Sequence, residues 1–228
     1  MAEEIRLMGT GDGSHTLLNV MLNETYHSRH GALRESQHVF IKAGLSHWLN
    51  LHADVQNIKI FEMGMGTGLN LILTLQQALQ LPKLKFDYLS LEAYPLKSKI
   101  IAQLNYVELL QDPSLIALFK KIHEAEWNSW QEILPNFQLN KVHQKLEDFQ
   151  ISEKSADLIY YDAFAPNKQA ELWSLDTIKK VCSMLKENGV FVTYCAKGQL
   201  KRDLKSLGLK LETLAGPPGK AEMVRATK

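Results

Sequence analysis

The sequence has 228 residues, 45% of them hydrophobic, and a formal net charge of +1 at pH 7. This length and apolar content suit one domain, or one domain with a small appendage, with enough apolar side chains for a sizeable core. A charge so close to zero neither demands nor excludes a nucleic-acid partner, so any basic surface must be local.

The two cysteines, Cys182 and Cys195, stand in no metal-binding or redox spacing. This argues against a disulfide framework and fits a reducing cytosol. Residues 1–6 lack the apolar core of a signal peptide, and no apolar run approaches the roughly 18 residues of a membrane span. We therefore expect a soluble, cytoplasmic protein without a membrane partner.

Residues 1–50 predict an amino-terminal extension. Two strands, 5–10 and 14–18, flank a Gly-Asp-Gly turn, which is the pattern of a β-hairpin. A polar segment follows at 26–31, and residues 32–49 carry apolar side chains at helical spacing. We expect this hairpin and helix to pack on a core that the remaining chain forms.

From residue 51 onward, predicted strands alternate with predicted helices. The strands are 59–62, 85–92, 137–143, 156–162 and 190–195, and the helices are 69–79, 95–110, 112–135, 172–187 and 200–207. Two short strands flank residues 216–219. This order predicts an α/β fold with a mostly parallel sheet, helices on both faces and an antiparallel strand near the carboxyl terminus. In such sheets ligands bind beyond the carboxyl ends of the strands.

A glycine-rich turn follows the first core strand and begins Glu-Met-Gly-Met-Gly-Thr-Gly at Glu62. Its glycines, Gly64, Gly66 and Gly68, let the backbone turn sharply and approach a ligand. The dinucleotide fingerprint G-x-G-x-x-G holds a pyrophosphate, whereas this turn is G-x-G-x-G with Leu69 at the third fingerprint position. The acidic Glu62 suits a cationic methionine moiety better than a pyrophosphate. The turn therefore favours S-adenosylmethionine as the cofactor.

Carboxylates follow the next two strands. Glu92 ends the strand 85–92, where a carboxylate can accept hydrogen bonds from both hydroxyls of a ribose. NAD sites and S-adenosylmethionine sites both use this arrangement, so Glu92 does not choose between them. After strand 137–143, either Glu147 or Asp148 could accept a hydrogen bond from the adenine amino group. The sequence leaves these two alternatives open.

The most informative run begins at Tyr160 and reads Tyr-Tyr-Asp-Ala-Phe-Ala-Pro-Asn-Lys. An apolar strand ends in Asp162, and Phe164 and Pro166 then stiffen the chain. This setting resembles the acidic or amide motif, with an aromatic residue and a proline, of amino-methylating enzymes. We expect Asp162 to lie between the cofactor and the methyl acceptor.

Basic side chains near the carboxyl terminus form a candidate phosphate-binding stripe. Lys197, Lys201 and Lys205 recur every four residues and share a helical face, with Arg202 beside it and Lys220 further on. Such a stripe can contact phosphates, although many charged faces are simply solvated. The histidines show no clear ligand spacing and no cysteine supports them, so we expect no metal site.

Taken together, the motifs resemble one family over about residues 14–224. The runs that carry the resemblance are Tyr26-His-Ser-Arg-His-Gly-Ala-Leu-Arg-Glu-Ser-Gln-His-Val-Phe40, Glu62-Met-Gly-Met-Gly-Thr-Gly-Leu-Asn70, Leu91-Glu-Ala-Tyr-Pro95, Asp162-Ala-Phe-Ala-Pro166, Glu171-Leu-Trp173 and Lys220-Ala-Glu-Met223. The family is that of the tRNA 5-methylaminomethyl-2-thiouridine methyltransferases, found alone or as the amino-terminal half of a bifunctional enzyme.

The resemblance implies a Rossmann-like methyltransferase fold in residues 51–228 and methylation of a 5-aminomethyl group on the wobble uridine of tRNA. By position, Asp162 matches the residue proposed to act in catalysis. Cofactor-side positions are matched by Tyr26, Gly64, Gly66, Gly68 and Glu92. Phe164 is a candidate to stack on a flipped-out uracil.

The implied partner is the anticodon stem-loop of tRNA, with the basic residues as its candidate phosphate contacts. The flavin-dependent oxidase half of the bifunctional form is absent from this sequence. We therefore expect a separate enzyme to supply the aminomethyl substrate.

Three other functions stay open at this point. A polyamine synthase that uses decarboxylated S-adenosylmethionine has a similar sheet and an acidic strand end. An NAD-dependent oxidoreductase is disfavoured by the missing third fingerprint glycine. A non-catalytic RNA-binding module would have no need of the intact glycine turn together with Glu92 and Asp162.

Overall fold

The amino-terminal part of the chain forms a small sheet and a long helical segment. The computed structural model describes residues 4–228. The small antiparallel sheet is ordered β1-β2-β3, with strands Ile5–Gly9 (β1), His15–Asn19 (β2) and Glu24–Thr25 (β3). The hairpin predicted near the amino terminus is confirmed. The helical segment comprises α1 (Ala32–Ser36), a π-helical stretch (Gln37–Ser46) and α2 (His47–Leu51).

The main sheet has eight strands and organises the rest of the chain. They are Asn57–Met63 (β4), Lys85–Glu92 (β5), Trp130–Leu134 (β6), Phe137–His143 (β7), Ala156–Tyr161 (β8), Leu185–Thr193 (β9), Lys210–Ala215 (β10) and Glu222–Thr227 (β11). Their order is β10-β11-β9-β8-β4-β5-β7-β6. The strands β7, β5, β4, β8 and β9 pair in parallel, while β11 runs antiparallel to both of its neighbours. The predicted fold class is confirmed.

Helices connect the strands of this sheet. They are Leu69–Gln80 (α3), Ser98–Ile101 (α4), Tyr106–Leu110 (α5), Ser114–Glu124 (α6), a 3₁₀ helix (Ala170–Trp173), Leu175–Ser183 (α7) and Gly198–Ser206 (α8). Among residues 4–228, none of the helices has the length and apolar character needed to cross a membrane.

Two helices predicted between β5 and β7 are wrong in extent. The predicted helix 95–110 is two short helices, α4 and α5. The predicted helix 112–135 ends at Glu124, and β6 follows it as an antiparallel edge strand on β7. The strand buries Ile133 and exposes Trp130, a half-apolar pattern that a surface helix also shows. Backbone pairing with β7, which is a tertiary contact, makes this segment a strand rather than a helix.

The helix predicted over 172–187 is also wrong at its carboxyl end. Helix α7 ends at Ser183, and Asn188-Gly189, a pair that often follows the end of a helix, lies inside β9. The register of β9 against β8 shifts there, and Asn188 has a φ of +60°. The Asn188 amide donates to the Lys228 carbonyl, so the segment is held by strand neighbours rather than by a helical turn.

The π-helical stretch packs closely on the sheet. A Cβ added at Gly44 would lie 2.9 Å from Cγ1 of Val192 and 3.2 Å from Cε1 of Tyr160. The Phe40 and Tyr160 rings lie 5.3 Å apart, centroid to centroid. This helical stretch therefore shares a core with the main sheet. The predicted boundary at residue 50, between an amino-terminal extension and a methyltransferase domain, stays a prediction.

The turn of the β1–β2 hairpin caps helix α1. One carboxylate oxygen of Asp12 accepts from the Thr10 hydroxyl (2.8 Å) and the Ser14 amide (3.0 Å). Its other oxygen accepts from the Arg34 amide at 3.0 Å. The Ser14 hydroxyl oxygen accepts from the Ala32 amide at 3.1 Å. The hairpin thus satisfies amides that the first turn of a helix leaves without partners.

We expect Asp12→Ala to lower the free energy of unfolding at pH 7 by about 0.5–2 kcal/mol, because the Ser14 and Arg34 amides lose their acceptor. Burial raises the pKa of Asp12, but hydrogen bonds from Ser14, Arg34 and Thr10 outweigh it and lower the pKa. The contribution is therefore present at neutral pH and is lost as the pH falls through the folded-state pKa. Urea denaturation measures it. Asp54→Ala, at an exposed site, is the control, and equal losses in the two variants would contradict the capping role.

Candidate active site

A cavity of about 600 Å³ lies beyond the carboxyl ends of β4, β5, β7 and β8. Binding sites for small organic ligands span roughly 300–1,000 Å³, so a nucleoside-sized cofactor fits. The candidate site residues that line it are Tyr26, Gly64, Gly66, Glu92, Glu147, Asp162, Phe164 and Lys220. Those that do not line it are Glu62, Gly68, Asp148, Lys197, Lys201 and Arg202.

The ends of β4 and β8 are joined through backbone contacts at the floor of the cavity. The Asp162 amide donates to the Met63 carbonyl at 3.0 Å, and the Gly64 amide donates to the Leu91 carbonyl at 2.9 Å. Gly64 has a φ of +89°, and a Cβ there would lie 2.5 Å from the carbonyl oxygen of Asp162. Only glycine therefore allows the turn and Asp162 to approach this closely.

Glu92 holds the glycine turn from the end of β5. Its carboxylate accepts from the Gly66 amide at 2.9 Å and from the Tyr94 amide at 2.8 Å. Glu92 also lines the cavity, and a carboxylate is an acceptor for hydroxyl groups. The predicted ribose contact of Glu92 is compatible with this geometry.

Tyr26 lies between the glycine turn and Phe164. A Cβ at Gly66 would be 3.1 Å from Cδ1 of Tyr26. On its other side, the Tyr26 ring meets the Phe164 ring edge-on, with centroids 5.0 Å apart and an interplanar angle of 78°. The two rings form an aromatic wall between the cofactor end of the cavity and the surroundings of Asp162. Stacking of Phe164 on a base stays a prediction.

The Asp162 carboxyl is the titratable group at the centre of the site. Its pKa is raised to about 7, chiefly by burial and next by the nearby negative charge of Glu35. A hydrogen bond from Nδ2 of Asn70 to Oδ2, 2.8 Å long, and the positive charge of Lys220 act in the opposite direction. A carboxyl group with this pKa exchanges protons near neutral pH, as a general base must.

Sequence reasoning missed a charged cluster beside Asp162. Nζ of Lys220 lies 2.5 Å from Oε1 of Glu35 and 3.7 Å from the centre of the Tyr194 ring. The Tyr194 hydroxyl donates to the Ala163 carbonyl at 2.8 Å. Glu35 and Asn70 stand in the runs that carry the family resemblance, which was their available signal. Tyr194 directly follows the end of β9, where ligand-binding residues are expected.

Glu62 is fully buried behind the glycine turn and outside the cavity lining. Its pKa is raised to about 8, chiefly by burial; the hydrogen bond from Ser90 lowers the pKa, and the charge of Asp162 adds to the rise. The Ser90 hydroxyl donates to Oε2 of Glu62 at 2.6 Å. Direct contact of Glu62 with the cofactor stays a prediction, and its place favours support of the turn.

The structure separates the two candidates for the adenine contact. Glu147 lines the cavity, and its carboxylate pairs with Nζ of Lys145 at 3.2 Å. Nζ of Lys180 donates to the carbonyls of Leu146 (2.6 Å) and Glu147 (3.0 Å), which fixes this turn to α7. Asp148 is exposed and lies outside the lining. The geometry therefore favours Glu147.

The basic stripe lies on α8 and outside the cavity lining. Lys201 pairs with Glu222 at 2.5 Å, and Arg202 donates to the side-chain oxygen of Gln199 at 2.6 Å. Contacts of Lys197, Lys201 and Arg202 with phosphates stay predictions. Among residues 4–228, no group of three or more histidines, cysteines or acidic residues could hold a metal ion.

The chain is similar to known methyltransferases and to proteins of tRNA modification. Residues 118–228 match a family described as S-adenosyl-L-methionine-dependent methyltransferase. The chain is 27% identical over 232 residues to the tRNA 5-methylaminomethyl-2-thiouridine biosynthesis bifunctional protein MnmC of Leptospira interrogans, covering 95% of this chain and 34% of that protein. It is also 27% identical over 224 residues to the MnmC of Burkholderia multivorans, covering 92% of this chain and 33% of that protein.

A solved structure shares the fold. The crystal structure of MNMC2 from Aquifex aeolicus superposes with a TM-score of 0.79 at 26% identity, covering 99% of this chain and 70% of that chain. Of the two MnmC proteins compared above, by contrast, the chain spans only about a third of the length. The resemblance drawn from the sequence motifs is confirmed.

We expect Gly64→Ala to weaken S-adenosylmethionine binding at least ~10-fold and to lower the free energy of unfolding by about 2 kcal/mol or more, since the turn must move away from Asp162. Calorimetric titration and urea denaturation measure both effects. Gly208→Ala is the matched control, with a φ of +84° and no atom within 4 Å of the added Cβ. It should cost about 1 kcal/mol and leave cofactor affinity unchanged. Wild-type affinity in Gly64→Ala would contradict this account.

Glu147→Gln is expected to raise the dissociation constant for S-adenosylmethionine about 5-fold or more, because an amide accepts less well from the adenine amino group than a carboxylate does. Asp148→Asn, one residue further and outside the cavity, should leave the constant unchanged. Calorimetric titration of both variants distinguishes the residues. The reverse order of effects would assign the adenine contact to Asp148.

Proposed function

We propose that this chain, an S-adenosylmethionine-dependent methyltransferase, methylates the amine of a 5-aminomethyl group on (2-thio)uridine at the wobble position of tRNA. The product would be 5-methylaminomethyl-2-thiouridine. The observation that carries the proposal is the Asp162 carboxyl group in a cofactor-sized cavity. Its pKa is raised to about 7, chiefly by burial. The names of the relatives supply the nucleoside.

The residues around the cavity fit S-adenosylmethionine. The turn at Gly64 and Gly66 brings backbone close to the cavity, and two carboxylates line it: Glu92, the candidate for the ribose hydroxyls, and Glu147, the candidate for the adenine amino group. When bound, the cofactor supplies an electrophilic methyl group on a sulfonium sulfur. Tyr26, from the amino-terminal part of the chain, lines the same cavity beside Gly66.

Asp162 prepares the acceptor amine. A protonated amine has no free electron pair, so it must lose a proton before it can attack a methyl group. The Asp162 carboxylate accepts that proton and so leaves the nitrogen an electron pair for the attack. Asn70 fixes the carboxylate by donating to Oδ2. Alignment of the amine against the methyl group supplies most of the acceleration, up to about 7–11 kcal/mol.

The nucleoside would enter beside the aromatic wall. Phe164 is partly exposed and lines the cavity two residues beyond Asp162, so its ring can stack on an unstacked uracil. The anticodon stem-loop would then follow the outer surface, where Lys197, Lys201 and Arg202 are candidate phosphate contacts. The aminomethyl group must be formed first by another activity, because it is the substrate of the proposed methyl transfer.

Product analysis tests this proposal. The protein is incubated with methyl-labelled S-adenosylmethionine and tRNA that carries 5-aminomethyl-2-thiouridine, and the nucleosides are analysed by mass spectrometry. We expect the label on the wobble nucleoside as one added methyl group. A polyamine synthase would instead transfer an aminopropyl group from the decarboxylated cofactor to putrescine. That transfer, with no methyl gain on tRNA, would refute the proposal.

Asp162→Asn should lower the single-turnover rate of methyl transfer by about 10²–10⁴-fold, because an amide cannot accept the proton of the amine. Cofactor affinity should change little, since the backbone contacts of residue 162 with Met63 and Gly64 remain. Rapid-quench kinetics at saturating cofactor and tRNA measure the rate. Asp176→Asn, on the exposed face of α7, is the control. A wild-type rate in Asp162→Asn would remove Asp162 from catalysis.

A further inference from the structure

We propose that Glu35 and Lys220 are positioning residues. Their ion pair acts on Asp162 and keeps it available as the carboxylate that accepts the proton of the amine. This inference rests on the proposed function, because it extends the role given there to Asp162. It also changes the expectation for Lys220, which the sequence offered as a phosphate contact.

The ion pair is built into the wall of the cavity. Glu35 is only 5% exposed, and both of its carboxylate oxygens are engaged. Oε1 lies 2.5 Å from Nζ of Lys220, and Oε2 accepts from the Ser28 amide at 2.6 Å. Glu35, Lys220 and Asp162 all line the same cavity. A buried carboxylate held in this way needs the lysine as its counter-charge.

Lys220 has a second contact that restrains it. Its ammonium lies 3.7 Å from the centre of the Tyr194 ring, a cation–π contact. The Tyr194 hydroxyl in turn donates to the carbonyl of Ala163, the residue next to Asp162. The lysine is therefore held on the Asp162 side of the cavity, with its ammonium engaged by Glu35 and by the Tyr194 ring.

The fold brings these residues together from distant parts of the chain. Glu35 belongs to α1, and Lys220 lies 185 residues further on, in the loop between β10 and β11. Hydrogen bonds from the Lys220 amide to Pro217 and from the Gly216 amide to Ala221 fix that loop. The ion pair joins the amino-terminal extension to the carboxyl-terminal hairpin across the site.

The charges around Asp162 oppose one another. After burial, the negative charge of Glu35 raises the pKa of Asp162, while the positive charge of Lys220 lowers it. His27 lies near this ion pair, but burial lowers its pKa to about 4, so it stays neutral at physiological pH. The charged or polar groups that face Asp162 are Glu35 from α1, Glu62 from β4, Asn70 from α3, Tyr194 beyond β9, Lys220 from the β10–β11 loop and Lys168 from its own loop.

Removal of either partner should expose the charge of the other. Glu35→Gln keeps an acceptor for the Ser28 amide and leaves Lys220 as an uncompensated cation, which favours ionised Asp162. Lys220→Met leaves Glu35 as an uncompensated anion, which favours protonated Asp162. An uncompensated charge that acts on a buried carboxyl group shifts its titration by about one pH unit or more. The double variant removes both charges and should titrate between the two single variants.

The test compares wild type, the two single variants and the double variant. The titration midpoint of the Asp162 carboxyl carbon is measured by ¹³C NMR, assigned with Asp162→Asn. The pH dependence of single-turnover methyl transfer is measured on the same proteins at saturating tRNA and cofactor. We expect both midpoints to fall in Glu35→Gln and to rise in Lys220→Met, with the tRNA KM unchanged. The substrate amine also titrates, but it affects the pH dependence of every variant equally, so the differences between variants report on Asp162.

Lys186→Met is the control, since it breaks the ion pair with Asp157 outside the cavity and should move neither midpoint. A midpoint at or above that of wild type in Glu35→Gln, or at or below it in Lys220→Met, would overturn the inference. A rise in tRNA KM without a shift in Lys220→Met would also overturn it and would return Lys220 to phosphate binding. If wild type transfers no methyl group to tRNA, the proposed function fails, and the NMR midpoints still decide the inference.

Discussion

The close approach of Gly64 to the backbone of Asp162 is the constraint on which the site depends. A Cβ at position 64 would lie 2.5 Å from the Asp162 carbonyl oxygen, and the Asp162 amide is bonded to Met63. The end of β4, which leads into the cofactor turn, is therefore fixed against the end of β8, which carries the carboxyl group. Glu92 holds the other side of the turn through the Gly66 amide. Cofactor and acceptor ends of the cavity are thus positioned by one pair of strands.

Electrostatics gives this geometry its chemistry. Burial raises the pKa of both Glu62 and Asp162, but only Asp162 lines the cavity. Glu62 supports the turn from behind, and Asp162 faces the space where an amine would enter. The ion pair of Glu35 and Lys220 adds two opposed charges beside it. Burial raises the pKa of Asp162, and Asn70 and Lys220, which come from distant parts of the chain, limit that rise.

Local patterns predicted the elements that carry the site, and tertiary contacts decided what was missed. Apolar strands ending at Glu92 and Asp162 were predictable because a parallel sheet places such ends at one edge. Edge strand β6 was read as helix, since its half-buried pattern suits either element and pairing with β7 decides it. The roles of Glu35 and Tyr194 were not predictable, because they arise from contacts with Lys220 across 185 and 26 residues of the chain.

Acceptor dependence tests the central claim most directly. Transfer of labelled methyl from S-adenosylmethionine is compared between two preparations of the same tRNA, one with a 5-aminomethyl group at the wobble uridine and one without it. If the site acts on an amine beside Asp162, only the first preparation gains label, and Asp162→Asn loses that gain. Equal labelling of both preparations, or a gain that survives in Asp162→Asn, would contradict it.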